Sequence, residues 1–494
     1  MLPKEEKIKE LLRQHGLDGA IVSSPENFHY VTGFAGHQHT VSRQPGFSVA
    51  VVSAREDVPT QLTTMDFEVP TFEKKSQGRF LVRKYDTWTG VKVWDEITTG
   101  QALPAAEMEN SMDVLKKMVK DMDLANKKLG VELDYLTAGY YNSLCQAFPE
   151  ARYENISDLF VFARSVKTPE EIQMFRTLCR AADEGFTAVS KIARVGVSER
   201  ELVETFRKTV IATGVAAPSA WSMFSTGEAG APPPPPPENN IPKGDVVKVE
   251  ARVDAGFDIF TTPTPPSWGM EGADPHLPKT KGGGKNSASA EAKRAGVGGR
   301  RRAWGSPSPT PSPPAACPPP RAWSLFPTGG GGPRLTIPEE NIIRKGDVVK
   351  FDAGVNAEFD FYTTDTSRSW VMEGADPTIL KLKDRLYEGQ RRMIAAAKPG
   401  LPMNELFHIA YDYVKEAFPA YRRGHQGHSI SMGPATAEAP FINPTTTRPL
   451  EAGMVLAMEV PCYIRGVNGF NIEDMVLITE DGCEVLTPAT PPYL

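Results

Sequence analysis

Residues Gly346 to Trp370 read GDVVKFDAGVNAEFDFYTTDTSRSW, and this stretch decides the fold. Val348, Lys350 and Asp352 fall on alternate positions, the run reaches a turn-prone Asn356, and it returns through Phe361 and Thr363 to Asp365. Alternation on both sides of a turn predicts a hairpin with one aspartate on each arm. Further on, MVLAMEVPCYI (Met454 to Ile464) sets Glu459 inside an apolar run, and FNIEDMVLIT (Phe470 to Thr479) does the same for Glu473. An acid in a buried strand is costly unless it is paired or holds a metal. Between hairpin and strands, His428 follows Gly427 in a loop that leads into a strand.

Asp352, Asp365, His428, Glu459 and Glu473 thus form an ordered series of four carboxylates and one imidazole. Two hard divalent cations carry four positive charges, four ionised carboxylates balance them, and one His supplies a softer nitrogen. The series reads as the ligand set of a dinuclear hydrolase.

The same residues carry a resemblance. GDVVKFDAG with YTTDTSR, GHSI, and LEAGMVLAMEVPCYI followed by FNIEDMVLITEDGCEVLT resemble the pita-bread metallopeptidases, the family of methionine aminopeptidase, aminopeptidase P, prolidase and the metal-free creatinase. The resemblance continues upstream through VKTPEEIQMFRTLCRAADEGF, and GLDGAIVSSPENFHYVTGF resembles the creatinase-like N-domain. It implies an α/β (α+β) fold: a creatinase-like N-terminal α/β domain over 1–156 and a C-terminal pita-bread metallohydrolase domain over 157–494. It also implies cleavage of Xaa-Pro bonds of small peptides with two divalent ions. The carboxylate-rich donors favour Mn²⁺ or Co²⁺ over Zn²⁺, and Glu459 takes the proton of the attacking water. A homodimer is expected, in which an N-domain loop of one subunit covers the other's site.

Three departures bear on that expectation. Asp352 and Asp365 are two residues further apart than the family implies, but an even-numbered lengthening keeps both side chains on one face. The His-Glu-x-Pro segment that family peptidases carry after the ligand His is matched by Ala437-Glu438-Ala439-Pro440, and AWSLFPTGGGGPRLTIPEEN before the hairpin contains no His. Those imidazoles hold the substrate carbonyl and shuttle protons. Their loss favours a second reading, a non-peptidase amidohydrolase similar to creatinase or ectoine hydrolase, and a third, an inactive homologue. His425, three residues before His428, and His37 and His39 in the GFAGHQHT loop are the candidate substrate-binding replacements, with His37 and His39 reaching across a dimer. His408 reads as a structural residue on the apolar face of a helix.

The third departure is a repeat. Residues 220–275 recur at 322–377 with a constant offset of 102, with AWSMFSTG against AWSLFPTG and MEGADP closing both copies. Asp352 is matched by Glu250 and Asp365 by Pro263. Proline cannot ligate, so the first copy is metal-incompetent. Between them lie KGGGKNSASAEAKRAGVGGRRR and SPSPTPSPPAACPPP, a composition that cannot bury enough apolar surface to offset chain entropy. The segment 220–321 therefore reads as a looped-out insert, and Arg300 to Arg302 as a solvated basic stretch rather than an RNA-binding one.

A net charge of −6 over 494 residues implies no general attraction to nucleic acid or anionic membrane. MLPKEEKIKELL reads as a charged amphipathic helix rather than a leader, and there is no apolar span of transmembrane length. Five scattered cysteines, Cys145, Cys179, Cys317, Cys462 and Cys483, suggest a reducing, cytoplasmic setting. Capping boxes at Thr168–Glu171 and Ser198–Glu201 open two helices, and Asp376-Pro377 and Met403 open two more. Two helix pairs, each followed by ligand-bearing strands, give a pseudo-symmetric layout.

Overall fold

The computed structural model describes residues 4–87, 98, 109–214, 220–226, 341–357, 360–433, 437–464 and 468–489. Glu250, Pro263, Arg300 to Arg302, Cys317 and the Pro/Gly-rich linker lie outside them.

The N-terminal elements are α1 (Lys4–Gln14), β1 (Gly19–Val22), α2 (Pro25–Thr32), α3 (His37–Ser42), β2 (Val49–Ser53), β3 (Gln61–Met65), α4 (Val69–Ser76), β4 (Leu81–Tyr85), α5 (Ser111–Asp121), β5 (Lys128–Val131), α6 (Ala138–Ala147) and β6 (Arg152–Asn155). The strands form one six-stranded mixed sheet in the order β4-β3-β2-β1-β5-β6. Alternation sorts its faces. Ala20, Val22, Ala50 and Val52 join a core with Ile8, Leu12 and Phe28, whereas Ile21, Val49 and Val51 pack with Val114, Leu115 and Met118 of α5.

The second half comprises α7 (Ser157–Ser165), α8 (Pro169–Ser190), α9 (Glu199–Ala212), β7 (Ala220–Thr226), β8 (Val348–Val355), β9 (Thr366–Val371), α10 (Pro377–Ala396), α11 (Met403–Ala417), β10 (Gly427–Ser429), β11 (Glu438–Phe441), β12 (Val455–Glu459), β13 (Cys462–Ile464), β14 (Asn468–Phe470), β15 (Glu473–Ile478) and β16 (Cys483–Val485). Both capping boxes form: the hydroxyls of Thr168 and Ser198 accept from the third backbone N–H of α8 and α9, and Glu171 and Glu201 reach back. The main sheet runs β11-β10-β12-β15-β9-β8-β7, with β16 beside β15.

Each helix pair backs one part of the sheet. Phe351 of β8 packs edge-on against Phe186 of α8 and Phe206 of α9 at 5.7 and 5.6 Å, so alternate residues Lys350 and Asp352 emerge on the opposite face. Leu456 and Met458 of β12 join the core of α10 and α11, which turns Glu459 the other way.

The hairpin forms, with Asn356 bridging to Thr363 across its arms and Phe361 at a positive φ of 64°. The edge strand β7 is the AWSMFST of the first copy, paired along its length with β8 of the second. The expectation that all of 220–321 stands outside the fold is corrected at these seven residues. A sheet edge accepts any strand of matching pattern, and the first copy is the one that follows directly on α9.

Candidate metal centre

Strand registers bring the predicted acids together. Asp352 on β8 faces Ser367 on β9, Ser367 faces Glu473 on β15, and Glu473 faces Glu459 on β12, one row across four strands. Directly paired residues share a face, and Asp365, two before Ser367, joins it. His428 lies opposite Ala457, two before Glu459, and so reaches the same side. All five side chains are buried, at 1–5 % exposure.

Within the row, Asp365, His428 and Glu473 offer ligand atoms that lie within 4.8 Å of one another. His428 Nε2 stands 3.7 Å from Asp365 Oδ2 and 4.0 Å from Glu473 Oε1. These gaps exceed hydrogen-bond length and suit atoms that each approach a shared ion to about 2.0–2.2 Å. The ring is aimed by its other nitrogen: Nδ1 lies 3.1 Å from Ser429 O, so a proton there donates to the carbonyl and leaves Nε2 as the lone-pair donor. Burial lowers the His428 pKa to about 4, keeping it neutral as a ligand must be. Burial, then the charges of Asp365, Glu459 and Asp352, push the Glu473 carboxyl well above its usual range. That excess of buried negative charge calls for a cation, and the group fits one.

Gly427 makes this approach feasible. Its φ is +145°, and a Cβ there would lie 2.3 Å from Ala457 O, so only glycine lets β10 sit this close to β12.

Asp352 and Glu459 are engaged differently. Lys350 Nζ stands 3.1 Å from Asp352 Oδ2 and is itself 1 % exposed. Burial still raises the Asp352 carboxyl, with Lys350 opposing it. Arg423 Nη2 donates to Glu459 Oε1 at 2.7 Å, and His425 Nδ1 stands 3.2 Å from the same oxygen without hydrogen-bond alignment. Burial opposes ionisation of Glu459, but Arg423 and His425 outweigh it and hold the carboxyl far below its usual range. Asn471 Nδ2 donates to Glu473 Oε2 at 3.0 Å. Lys350, Arg423 and Asn471 were absent from the ligand set read from sequence. Lys350 had a signal, since it lies two before Asp352 on one strand; Arg423, in a loop, had none.

The remaining candidates scatter. Glu438 sits beside a cis Ala439–Pro440 bond and is held by Arg164 Nη2 at 2.8 Å; Arg164 also donates to Asn27 of α2. His37 and His39 lie in the short helix α3 rather than a loop. His37 is exposed, whereas His39 is 1 % exposed with Nε2 2.7 Å from Ser23 O, spent inside its own domain. His408 is corrected as well: it is exposed on α11 and faces Asp412 Oδ2 at 3.2 Å, because the apolar stripe runs through Phe407 and Ala410 instead.

Residues 5–166 match the creatinase/prolidase N-terminal domain, and residues 328–480 match metallopeptidase family M24. Among curated proteins, an uncharacterized peptidase of Staphylococcus aureus is 31 % identical over 164 residues, 33 % of this chain and 45 % of its own length. The Xaa-Pro dipeptidase of Pyrococcus furiosus is 34 % identical over 152 residues, 31 % of this chain and 42 % of its own. The chain thus spans just under half the length of the curated relatives it matches. Among solved structures, the Xaa-Pro dipeptidase from Bacillus anthracis superposes with a TM-score of 0.64 at 20 % identity, covering 99 % of both chains. The N-terminal domain of FACT complex subunit SPT16 from chickpea does so at 0.59 and 12 % identity, over 99 % of this chain and 97 % of that one. At such identities the superpositions establish the fold alone, a creatinase-like α/β domain followed by a pita-bread domain. Residues 328–480 thus form an M24 metallopeptidase domain, preceded by a creatinase/prolidase N-terminal domain over residues 5–166.

Proposed function

We propose that this chain is a metal-dependent peptidase acting on Xaa-Pro bonds of small peptides, as a prolidase or an aminopeptidase P does. The observation that carries the reading is the buried Asp365–His428–Glu473 group in a domain of this family. A divalent ion held there supplies Lewis-acid activation of the scissile amide and of the attacking water. The carboxylate-rich donors suit Mn²⁺, ahead of Co²⁺ and Zn²⁺. Glu459, kept ionised by Arg423 and His425, accepts the proton of that water and returns it to the leaving imino nitrogen. His425 lies beside this carboxylate and meets the substrate there. The active form is a homodimer, with His37, the exposed one of the two α3 imidazoles, facing a second copy. Cys145, Cys179, Cys462 and Cys483 are all free, in keeping with a cytoplasmic setting. Among the described residues no helix is long and apolar enough to cross a membrane.

The second reading, a pita-bread amidohydrolase acting on a non-peptide amide, is favoured by Ala437, which stands where family peptidases carry an imidazole, and by Arg164 tying down Glu438. Turnover of an Xaa-Pro dipeptide panel and of creatine and N-acetylated diamino acids, by the Mn²⁺-loaded protein, separates the two. Proline release supports the first reading; turnover confined to the non-peptide compounds replaces it with the second. Bound metal with no turnover of either class removes both.

A further inference from the structure

Resting on the metal-dependent reading, we propose that the centre holds one divalent ion, between Asp365, His428 and Glu473, and that the Lys350 ammonium occupies the electrostatic place of a second. A second ion needs donors from the far end of the row, where three carboxylate oxygens are already engaged. Lys350 takes Asp352 Oδ2 at 3.1 Å, Arg423 takes Glu459 Oε1 at 2.7 Å, and Asn471 takes Glu473 Oε2 at 3.0 Å. Asp352 Oδ1 and His425 Nδ1 are buried there without a hydrogen-bond partner, and two atoms fall short of the four to six donors such an ion takes.

Charge balance agrees. Asp352, Asp365, Glu459 and Glu473 bring four negative charges, and Lys350 and Arg423 return two. What remains is matched by one divalent ion. Neither cation is a stray surface group: Lys350 is 1 % exposed, Arg423 is half-buried, and the half-buried ring of Tyr463 lies 5.7 Å from Lys350 Nζ and 5.8 Å from Arg423 Cζ. A ring face stabilises both cations where they are. Two further positive charges beside a fixed ammonium would be repelled in a medium too dry to screen them.

The test is metal stoichiometry. The metal-free protein is titrated calorimetrically with Mn²⁺ and assayed by elemental analysis after desalting. Wild type takes up one equivalent per chain, and Lys350→Met, of similar length without the charge, takes up two. Two tight equivalents in wild type overturn the proposal, and a variant that stays at one overturns the role of Lys350. If Lys350→Met does not fold, electron paramagnetic resonance of the Mn²⁺-loaded wild type decides: the six-line signal of isolated ions supports the proposal, and the spectrum of a spin-coupled pair refutes it. No bound metal at all sinks the metallopeptidase reading along with this one.

Discussion

Glu459 and Glu473 stand directly opposite one another on β12 and β15, two buried carboxylates in register on antiparallel strands. Like charges placed so are destabilising, so the apo protein holds this geometry at a cost that a bound cation offsets. Glu473→Gln removes one charge and keeps a side chain for Asn471 to meet. The metal-free variant is therefore expected to be more stable than metal-free wild type by about 1–3 kcal/mol. Wild type should gain about 2.7 kcal/mol at a hundredfold excess of Mn²⁺ over Kd, and the variant little. Thermal melts with and without chelator measure both; equal metal-induced shifts would remove Glu473 from the ligand set.

Gly427 positions His428 without touching the metal. Any Cβ at this φ of +145° meets Ala457 O at 2.3 Å, so Gly427→Ala must push β10 away from β12. Displacing a ligand through its support lowers metal affinity by about ten- to a hundredfold. Calorimetric titration of the folded variant is the check, and an unchanged Kd would show that β10 moves freely without loss.

How much of this was legible beforehand follows from where each signal resides. The hairpin and the Glu459 and Glu473 strands could be read because an acid inside an apolar run is conspicuous along the chain. The capping boxes at Thr168 and Ser198 are likewise local, and both form. Strand β3, reading QLTTM, stayed hidden because its Thr63 and Thr64 look solvent-facing, yet both are buried, with Thr64 bonded to Ser48 and Glu68. Lys350 shares its face with Asp352 along the strand, but that its ammonium meets the whole carboxylate row is decided by strands more than a hundred residues away. His39 reads as a loop residue in the sequence because six residues of helix carry too little periodicity to announce themselves.

His39 supplies a pH test. Burial holds its pKa near 4, below the ordinary 6.5, with Ser23 O its partner. As pH falls, the unfolded chain takes this proton first, so the stability is fully present above 6.5 and is lost towards pH 4. Between pH 7.5 and 5 wild type should lose about 2 kcal/mol to this group. His428 titrates in the same direction in the metal-free protein, so the measurement is the difference between wild type and His39→Gln in urea unfolding at both values. An equal loss in both proteins would mean that His39 is accessible in the folded state.

The tandem copies give the sharpest test of the domain organisation, a metallohydrolase domain interrupted by an insert. Since β7 is the AWSMFST of the first copy and the hairpin belongs to the second, one 102-residue period can be excised in two ways that look equivalent in sequence. Deleting 227–328 joins Thr226 to Gly329 and keeps β7 as it is. Deleting 220–321 joins Ser219 to Ala322 and puts AWSLFPT in its place, with Pro327 where Ser225 pairs with Lys350. Proline donates no hydrogen bond and is tolerated in a sheet only at an edge. The first deletion should keep wild-type metal content and melting temperature. The second should fold with the same metal content but be less stable by about 1–3 kcal/mol if the lost donor faced β8, and Pro327→Ser in that background should restore it. Insoluble or metal-free protein from the 227–328 deletion would show that the intervening chain is integral to the fold and that the two-domain map with an insert is wrong.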